Sequence, residues 1–430
     1  VSGPETVSYL IVGGGMTADA AVRGIRSVDE EGTILVLTDE PHPPYDRPPL
    51  SKGLWTGDDE ERIWRETGDV GARIRTGCRV ESMDREAREV QIRGGERVGY
   101  ERLLLSTGAR PRTLNGPAAD QVIHFRTLED FRALRHRVRQ GGRLALVGGG
   151  FIGCELAGSL IRTSGAESEE YPPPEEMEIH LIYPESLPLE RSLPGPFGEL
   201  LARHLESVGV ALHPGWAVSE VGGGPEQLEL QVEPAKGTPD AETASLAGDR
   251  SRPRPDMPAG FDTVVAGLGV DPRVELAREA GLEVDEGIVV DASLRTADPR
   301  VFAAGDVARF PVPFLGGLHR VEHEEHANES GLTAGQAMAG QQVSYEPLPY
   351  VYSGVGPLTL EILGLPSPDD QVEAAPPGSP EGVGLARILR EGRITGVLIW
   401  NRPGRAHRIR RRLLDDDPDP TLDELKQILD

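Results

Sequence analysis

Cysteine is almost missing from this chain of 430 residues: Cys78 and Cys154 are the only two. Neither belongs to a Cys-x-x-Cys or Cys-x4-Cys motif, so a redox relay through a paired dithiol is excluded by counting. Lysine is nearly as scarce, confined to Lys52, Lys236 and Lys426 in a chain of net charge −25. That acidity opposes non-specific binding to nucleic acid or anionic membranes. No apolar run approaches the roughly 18 residues of a membrane-spanning helix. The first apolar strand begins within about ten residues of Val1, which leaves little room for a targeting segment. The expectation is a cytoplasmic protein with no membrane span, of a size for two or three domains.

Glycine, by contrast, is abundant, and it is concentrated where it matters. Leu10-Ile-Val-Gly13-Gly14-Gly15-Met-Thr-Ala18 and Leu146-Val-Gly148-Gly149-Gly150-Phe-Ile-Gly153 begin their glycine runs 135 residues apart. Each follows a short apolar run that reads as a buried strand and opens an apolar helical stretch. In such a turn the first glycine bends the chain and the second lets backbone N–H groups approach a pyrophosphate. The third small residue lets helix and strand pack closely. Asp39, at the end of the next strand, stands where a carboxylate can bind a ribose. Two such units point to two dinucleotides on one protein, and the usual reason is electron transfer between nicotinamide and flavin.

The pattern predicts strand 7–13, helix 16–27 and strand 33–38. The proline-rich segment 40–53 is expected to be irregular. Hairpin-like alternation covers 74–106. A helix over 127–140 leads into strand 143–148, helix 151–163 and strand 178–183. An acidic loop at 164–176 and a Pro/Gly/Asp/Arg-rich stretch at 234–260 read as surface excursions. Strand character returns at 261–269, 288–291 and 301–306. From about residue 345 a new alternating pattern begins, interrupted by a proline-rich loop near 365–380. Strand 397–401 follows, and a terminal amphipathic helix has Thr421 as its N-cap.

Four segments carry a family resemblance: Tyr45-Asp-Arg-Pro-Pro-Leu-Ser-Lys-Gly-Leu-Trp55, Gly148-Gly-Gly-Phe-Ile-Gly-Cys-Glu155, Arg320-Val-Glu-His-Glu-Glu-His-Ala327 and Val397-Leu-Ile-Trp-Asn401. Together they resemble the two-dinucleotide flavoproteins that include ferredoxin reductases and apoptosis-inducing factor, with the latter looking closer. The resemblance implies an α/β fold of two Rossmann-like domains and a C-terminal α+β domain. The FAD domain is expected at 1–125 and 256–345, the inserted NAD domain at 126–255, and the C-terminal domain at 346–430.

It also implies roles, residue by residue. Gly13, Gly15 and Asp39 hold FAD; Arg47, Val80, Arg112 and Asp306 contact it, Asp306 at the ribityl chain. Lys52 lies close to flavin N5, Phe151 covers the ring until nicotinamide arrives, and His323 stands beside the isoalloxazine. Gly148, Gly150, Gly153 and Gly269 receive NADH. Glu155 approaches Lys52 and the carboxamide. Glu185 accepts from ribose hydroxyls and repels a 2′-phosphate, with Arg191 a basic neighbour that softens the choice. Tyr352 replaces the family tryptophan near the flavin, and Glu361 matches only if one residue is deleted. The catalytic set is therefore Lys52, Glu155, Phe151 and His323, with FAD and NADH as cofactors and no metal. His319 and His323 lie four apart, but Arg320 stands where a zinc motif needs glutamate.

The function so implied is an NADH oxidoreductase that passes hydride to FAD and electrons to a quinone, a small oxidant or a protein. Two alternatives remain. One is a ferredoxin or rubredoxin reductase, for which Arg402, Arg405, Arg408, Arg410, Arg411 and Arg412 form either a docking patch or an ordinary solvated helix face. The other is an NADH-sensing signalling flavoprotein of slow turnover, with NADH-dependent homodimerisation. Nucleic acid is not an expected partner.

Overall fold

A computed structural model of the protein describes residues 4–163, 177–235, 257–414 and 419–429. The acidic loop 164–176 and most of the stretch 234–260 lie outside the described residues. The chain divides into two compact units: Val1–Arg47, Glu60–Arg110 and Asp271–Val351 form the first, and Pro48–Asp59, Pro111–Val270 and Tyr352–Asp430 the second.

In the first unit the apolar run at the start of the chain becomes strand Glu5–Val12, buried on both faces from Tyr9 onward. It pairs in parallel with Ile34–Leu37 on one side and Arg97–Leu105 on the other. The sheet order is Ala72–Arg75, Ile34–Leu37, Glu5–Val12, Arg97–Leu105, Glu89–Ile92, Val80–Asp84, and Val301–Ala303 also pairs in parallel with Arg97–Leu105. Hydrophobic residues fill the four-residue strand Ile34–Leu37 without alternation, as a strand buried on both faces requires. Helix Met16–Arg26 crosses helix Glu324–Met338 at very short range. A Cβ at Gly331 would lie 2.4 Å from the Thr17 carbonyl oxygen, so the small residue sets that distance.

Among the described residues the second unit holds two five-stranded sheets and the antiparallel hairpin Trp216–Gly224 with Gln227–Pro234. The parallel one has the order Val210–Pro214, Met177–Tyr183, Gly142–Val147, Thr263–Ala266, Ile123–His124. It thus takes strands from both sides of the interval 126–255. Its core joins Ala145, Val147, Ile182, Trp216, Phe261 and Val264. Helix Leu128–Val138 carries a full capping box at Thr127 and Asp130. The second sheet runs Tyr350–Val355, Leu358–Gly364, Arg393–Trp400, Gly384–Arg390, Gln371–Ala375.

Two local expectations are corrected. The segment 40–53 is not wholly irregular: Pro48–Ser51 and Gly53–Trp55 are short 3-10 helices. Proline fixes φ and suits a first helical turn, where its missing N–H costs nothing. The proline-rich stretch near 365–380 contains the strand Gln371–Ala375, formed because Gly384–Arg390 pairs with it. Among the described residues no helix is long and apolar enough to cross a membrane.

Candidate active site

Both glycine turns have the geometry their sequence predicts. Gly13 and Gly148 sit at φ +119° and +113°, a region that any side chain adopts only under strain. A Cβ at Gly13 would lie 2.0 Å from the Ser106 carbonyl oxygen, and one at Gly148 would lie 2.3 Å from that of Gly267. The third glycines behave differently. Apart from the glycine and its chain neighbours, nothing lies within 4 Å of where a Cβ would sit at Gly15 or Gly150. Each therefore borders open space beside the start of its helix, Met16–Arg26 or Phe151–Thr163. Gly153 closes the second turn, its Cβ position only 2.1 Å from the Gly148 carbonyl oxygen.

Around the first turn, Asp306 rides on the short 3-10 helix Gly305–Val307. Gly305 is packed so closely on Thr17 that a Cβ would lie 2.3 Å from Thr17 Oγ1. Asp306 is thereby brought to the first turn of the Rossmann helix. His323 occupies the N-cap position of helix Glu324–Met338 without a side-chain capping bond. Its Nδ1 is shielded from solvent and has no hydrogen-bond partner. Burial pushes this imidazole down to about 4 although Asp306 and the Tyr350 backbone pull it upward. An orphaned buried ring nitrogen in the unit that also holds Asp306 and the open turn suits a polar cofactor such as FAD.

Asp39 does not stand alone. Arg273 Nη1 lies 3.0 Å from its Oδ2, a partner that no local motif announced. Arg47 is ion-paired with Glu40, and Tyr45 Oη donates to Glu40 Oε2 at 2.7 Å. Burial alone would raise the Glu40 carboxyl, but Arg47 and Tyr45 hold it below its usual range. Val80 is buried at the start of strand Val80–Asp84. Arg112 is exposed and belongs to the second unit, where its N–H donates to the Gly269 carbonyl at 3.0 Å. That bond joins two predicted site positions.

In the second unit Lys52 Nζ lies 2.8 Å from Glu155 Oε1, and Glu155 is buried. Ser51 and Ser353 also donate to this carboxylate. Sequence reasoning missed both serines, since nothing in the local pattern separates a buried serine from a surface one. Phe151 is half-buried at the start of its helix. Glu185 is paired with Arg191 at 2.9 Å, and Arg191 is 77% exposed. Tyr352 is exposed, and burial of part of its ring, then Glu361 and Glu155, raise its phenol above the usual value. Glu361 is buried and accepts from the Gly404 N–H at 3.2 Å. That bond anchors the loop before helix Ala406–Leu414.

Cys154 lies inside the helix of the second turn, its Sγ 3.5 Å from the Gly149 carbonyl oxygen, and burial drives its thiol far up. Both cysteines are free. The second glycine turn therefore has no dithiol beside it.

A model of the family described as "Pyridine nucleotide-disulphide oxidoreductase" matches residues 7–331. The anthranilate 1,2-dioxygenase system ferredoxin–NAD(+) reductase component of Burkholderia cepacia is 35% identical over 370 residues, covering 83% of this chain and 82% of that protein. A putative mitochondrial apoptosis-inducing factor 1 of Drosophila melanogaster is 28% identical over 402 residues, covering 84% of this chain and 50% of that protein. The solved ferredoxin reductase for the CYP199A2 system from Rhodopseudomonas palustris superposes with a TM-score of 0.81 at 26% identity, covering 99% of this chain and 100% of that one.

Proposed function

Since the chain belongs to the pyridine nucleotide-disulphide oxidoreductase family, we propose that it binds FAD on its first unit and NADH on its second, and reduces a ferredoxin-type iron–sulfur protein. It is an FAD-dependent NAD(P)H oxidoreductase. The observation that carries the reading is the pair of glycine turns open at Gly15 and Gly150, each at a helix N-terminus. Such an end offers free N–H groups and positive potential to a pyrophosphate. When bound, FAD supplies the chemistry of accepting hydride from a nicotinamide and releasing electrons to an acceptor.

The chain's own residues bind, orient and tune. On the first unit Gly13 and Gly15 hold the pyrophosphate, with Asp39 and Arg273 at the ribose. Arg47 offers a planar cation to a phosphate, and Val80 meets the adenine. Asp306 accepts a ribityl hydroxyl, a charge-assisted bond that fixes depth. His323 offers its vacant Nδ1. On the second unit Gly148, Gly150, Gly153 and Gly269 let the protein backbone approach NADH closely, and Phe151 and Tyr352 supply stacking faces. Lys52 provides a fixed positive charge that favours the reduced flavin, and Glu155 holds it in place. Glu185 accepts from the ribose hydroxyls and repels a 2′-phosphate. Its pairing with Arg191 neutralises a cation that could otherwise attract that phosphate. Glu361, through Gly404, sets the position of the arginine helix.

A ferredoxin as acceptor is supported by the relatives named as ferredoxin reductases. It is also supported by Arg408 and Arg411, exposed on helix Ala406–Leu414 in a chain that is otherwise strongly acidic. The test is anaerobic rapid mixing of the FAD-loaded protein with NADH, followed by ferredoxin, quinone or air. Fast loss of the flavin's visible absorbance, then fast recovery with ferredoxin alone, is the expected result. Slow bleaching that leaves a stable long-wavelength band with every acceptor would instead establish a sensor.

A further inference from the structure

Glu155 has more partners than an ion pair with Lys52 needs. Ser51 Oγ donates to Oε2 at 2.5 Å, and Ser353 Oγ donates to Oε1 at 2.6 Å. Oε1 is also the atom that faces Lys52 Nζ. Ser353 is completely buried and Ser51 nearly so. A carboxylate withdrawn from water is stable only when it is paired and hydrogen-bonded. Here one cation and two hydroxyls engage both carboxylate oxygens, occupying three of about four lone-pair sites.

These donors come from separate stretches of the second unit, and one helical face gathers them. Glu155, Gly158 and Ser159 lie at i, i+3 and i+4 on helix Phe151–Thr163. Ser159 Oγ donates to the Ser51 carbonyl at 3.0 Å, which pins the turn whose hydroxyl reaches Glu155. At Gly158 a Cβ would lie 2.5 Å from the Gly356 nitrogen and 2.9 Å from the Val355 carbonyl carbon. Only glycine lets the turn after strand Tyr350–Val355 come this close. That turn follows the strand that carries Ser353.

We propose that Ser51 and Ser353 are positioning residues that fix the plane of the Glu155 carboxylate and through it the place of the Lys52 ammonium, with Gly158 as the spacer that lets Ser353 reach. A lysine alone restrains neither partner, because its ammonium is a point charge on a flexible stem. Hydroxyls on opposite oxygens restrain the carboxylate plane, and its fixed plane then leaves one place for the ammonium. The inference rests on the reading of Lys52 and Glu155 as part of the nicotinamide chemistry.

The test uses Ser51→Ala, Ser353→Ala and Gly158→Ala, each alone and in a Glu155→Gln background, with FAD loaded. Two quantities are read. One is the limiting rate of flavin reduction by NADH. The other is the rate at which an amine-reactive reagent modifies Lys52, scored by peptide mass spectrometry against Lys426. Each serine variant is expected to slow reduction about tenfold while shifting the NADH concentration dependence less than about threefold. Lys52 should be modified about tenfold faster relative to Lys426. In the Glu155→Gln background the serine substitutions should have no further effect on either quantity. Gly158→Ala should reproduce the Ser353→Ala pattern.

Serine variants that slow reduction equally in both backgrounds, or leave Lys52 modification unchanged, would overturn the positioning role. Glu155→Gln with an undiminished rate would instead remove the catalytic reading of the pair, while faster Lys52 modification in the serine variants would still uphold the clamp.

Discussion

A side chain is excluded from the two glycine turns for different reasons at neighbouring positions, and that difference can be measured. At Gly13 a methyl group meets the Ser106 carbonyl and a positive φ together, so Gly13→Ala should destabilise the apo-protein by about 2–3 kcal/mol as well as lose FAD. At Gly15 the space is open and φ is −90°. Gly15→Ala should therefore melt within about 0.5 kcal/mol of the parent yet retain much less FAD. Thermal melts of the apo-proteins beside flavin-to-protein absorbance ratios separate the two effects. On the nucleotide side, Glu185 is the group that meets a ribose or rejects a phosphate. Replacing Glu185 with Gln frees Arg191 and should narrow the preference for NADH over NADPH by about tenfold in kcat/KM. Initial-rate kinetics with both nucleotides checks it, and an unchanged ratio would move the choice elsewhere.

Helix Glu324–Met338 shows what an element adds that its residues alone do not reveal. His326 Nε2 lies 3.2 Å from the Gly305 carbonyl oxygen and Nδ1 lies 2.7 Å from Tyr345 Oη. A carbonyl only accepts, so Nε2 carries the proton and Nδ1 accepts from the tyrosine. The ring also stacks on Phe310 at 4.5 Å. Burial pushes it down to about 4, against the upward pull of Asp306 and Gly305. The unfolded chain takes up this proton first, so stability is complete above about pH 6.5. It falls by about 3 kcal/mol as pH drops to about 4. Urea melts at about pH 7.5 and about pH 5 should show His326→Gln losing about 2 kcal/mol less than the parent over that interval.

Legibility follows the same division between local and distant causes. The start of the terminal helix was readable because a cap is local: Thr421 and Glu424 form a reciprocal pair, and Thr127 with Asp130 caps helix Leu128–Val138 in the same way. The glycine turns were readable because φ and close approach dictate the residue. The strand Gln371–Ala375 was not readable, because its partner Gly384–Arg390 decides it. Arg273 on Asp39 and the serines on Glu155 were hidden for the same reason, since more than a hundred residues separate each pair in sequence.

At the scale of the molecule the net charge of −25 works against any acidic partner, so electrostatic attraction must be local. If helix Ala406–Leu414 meets the acceptor, Arg408→Glu with Arg411→Glu should raise the KM for ferredoxin about tenfold. NADH-dependent reduction of a small neutral oxidant should stay unchanged, and a parallel loss of both activities would show damage to the fold instead. The cysteine count has a practical side at this scale. Cys154 is sealed beneath the second glycine turn with its thiol held protonated, whereas Cys78 is only half-buried. A maleimide dye or spin label added to the unaltered protein should therefore settle on Cys78 alone. The first unit thus carries a built-in attachment point for fluorescence or spin-resonance distance measurements, with no cysteine engineering required.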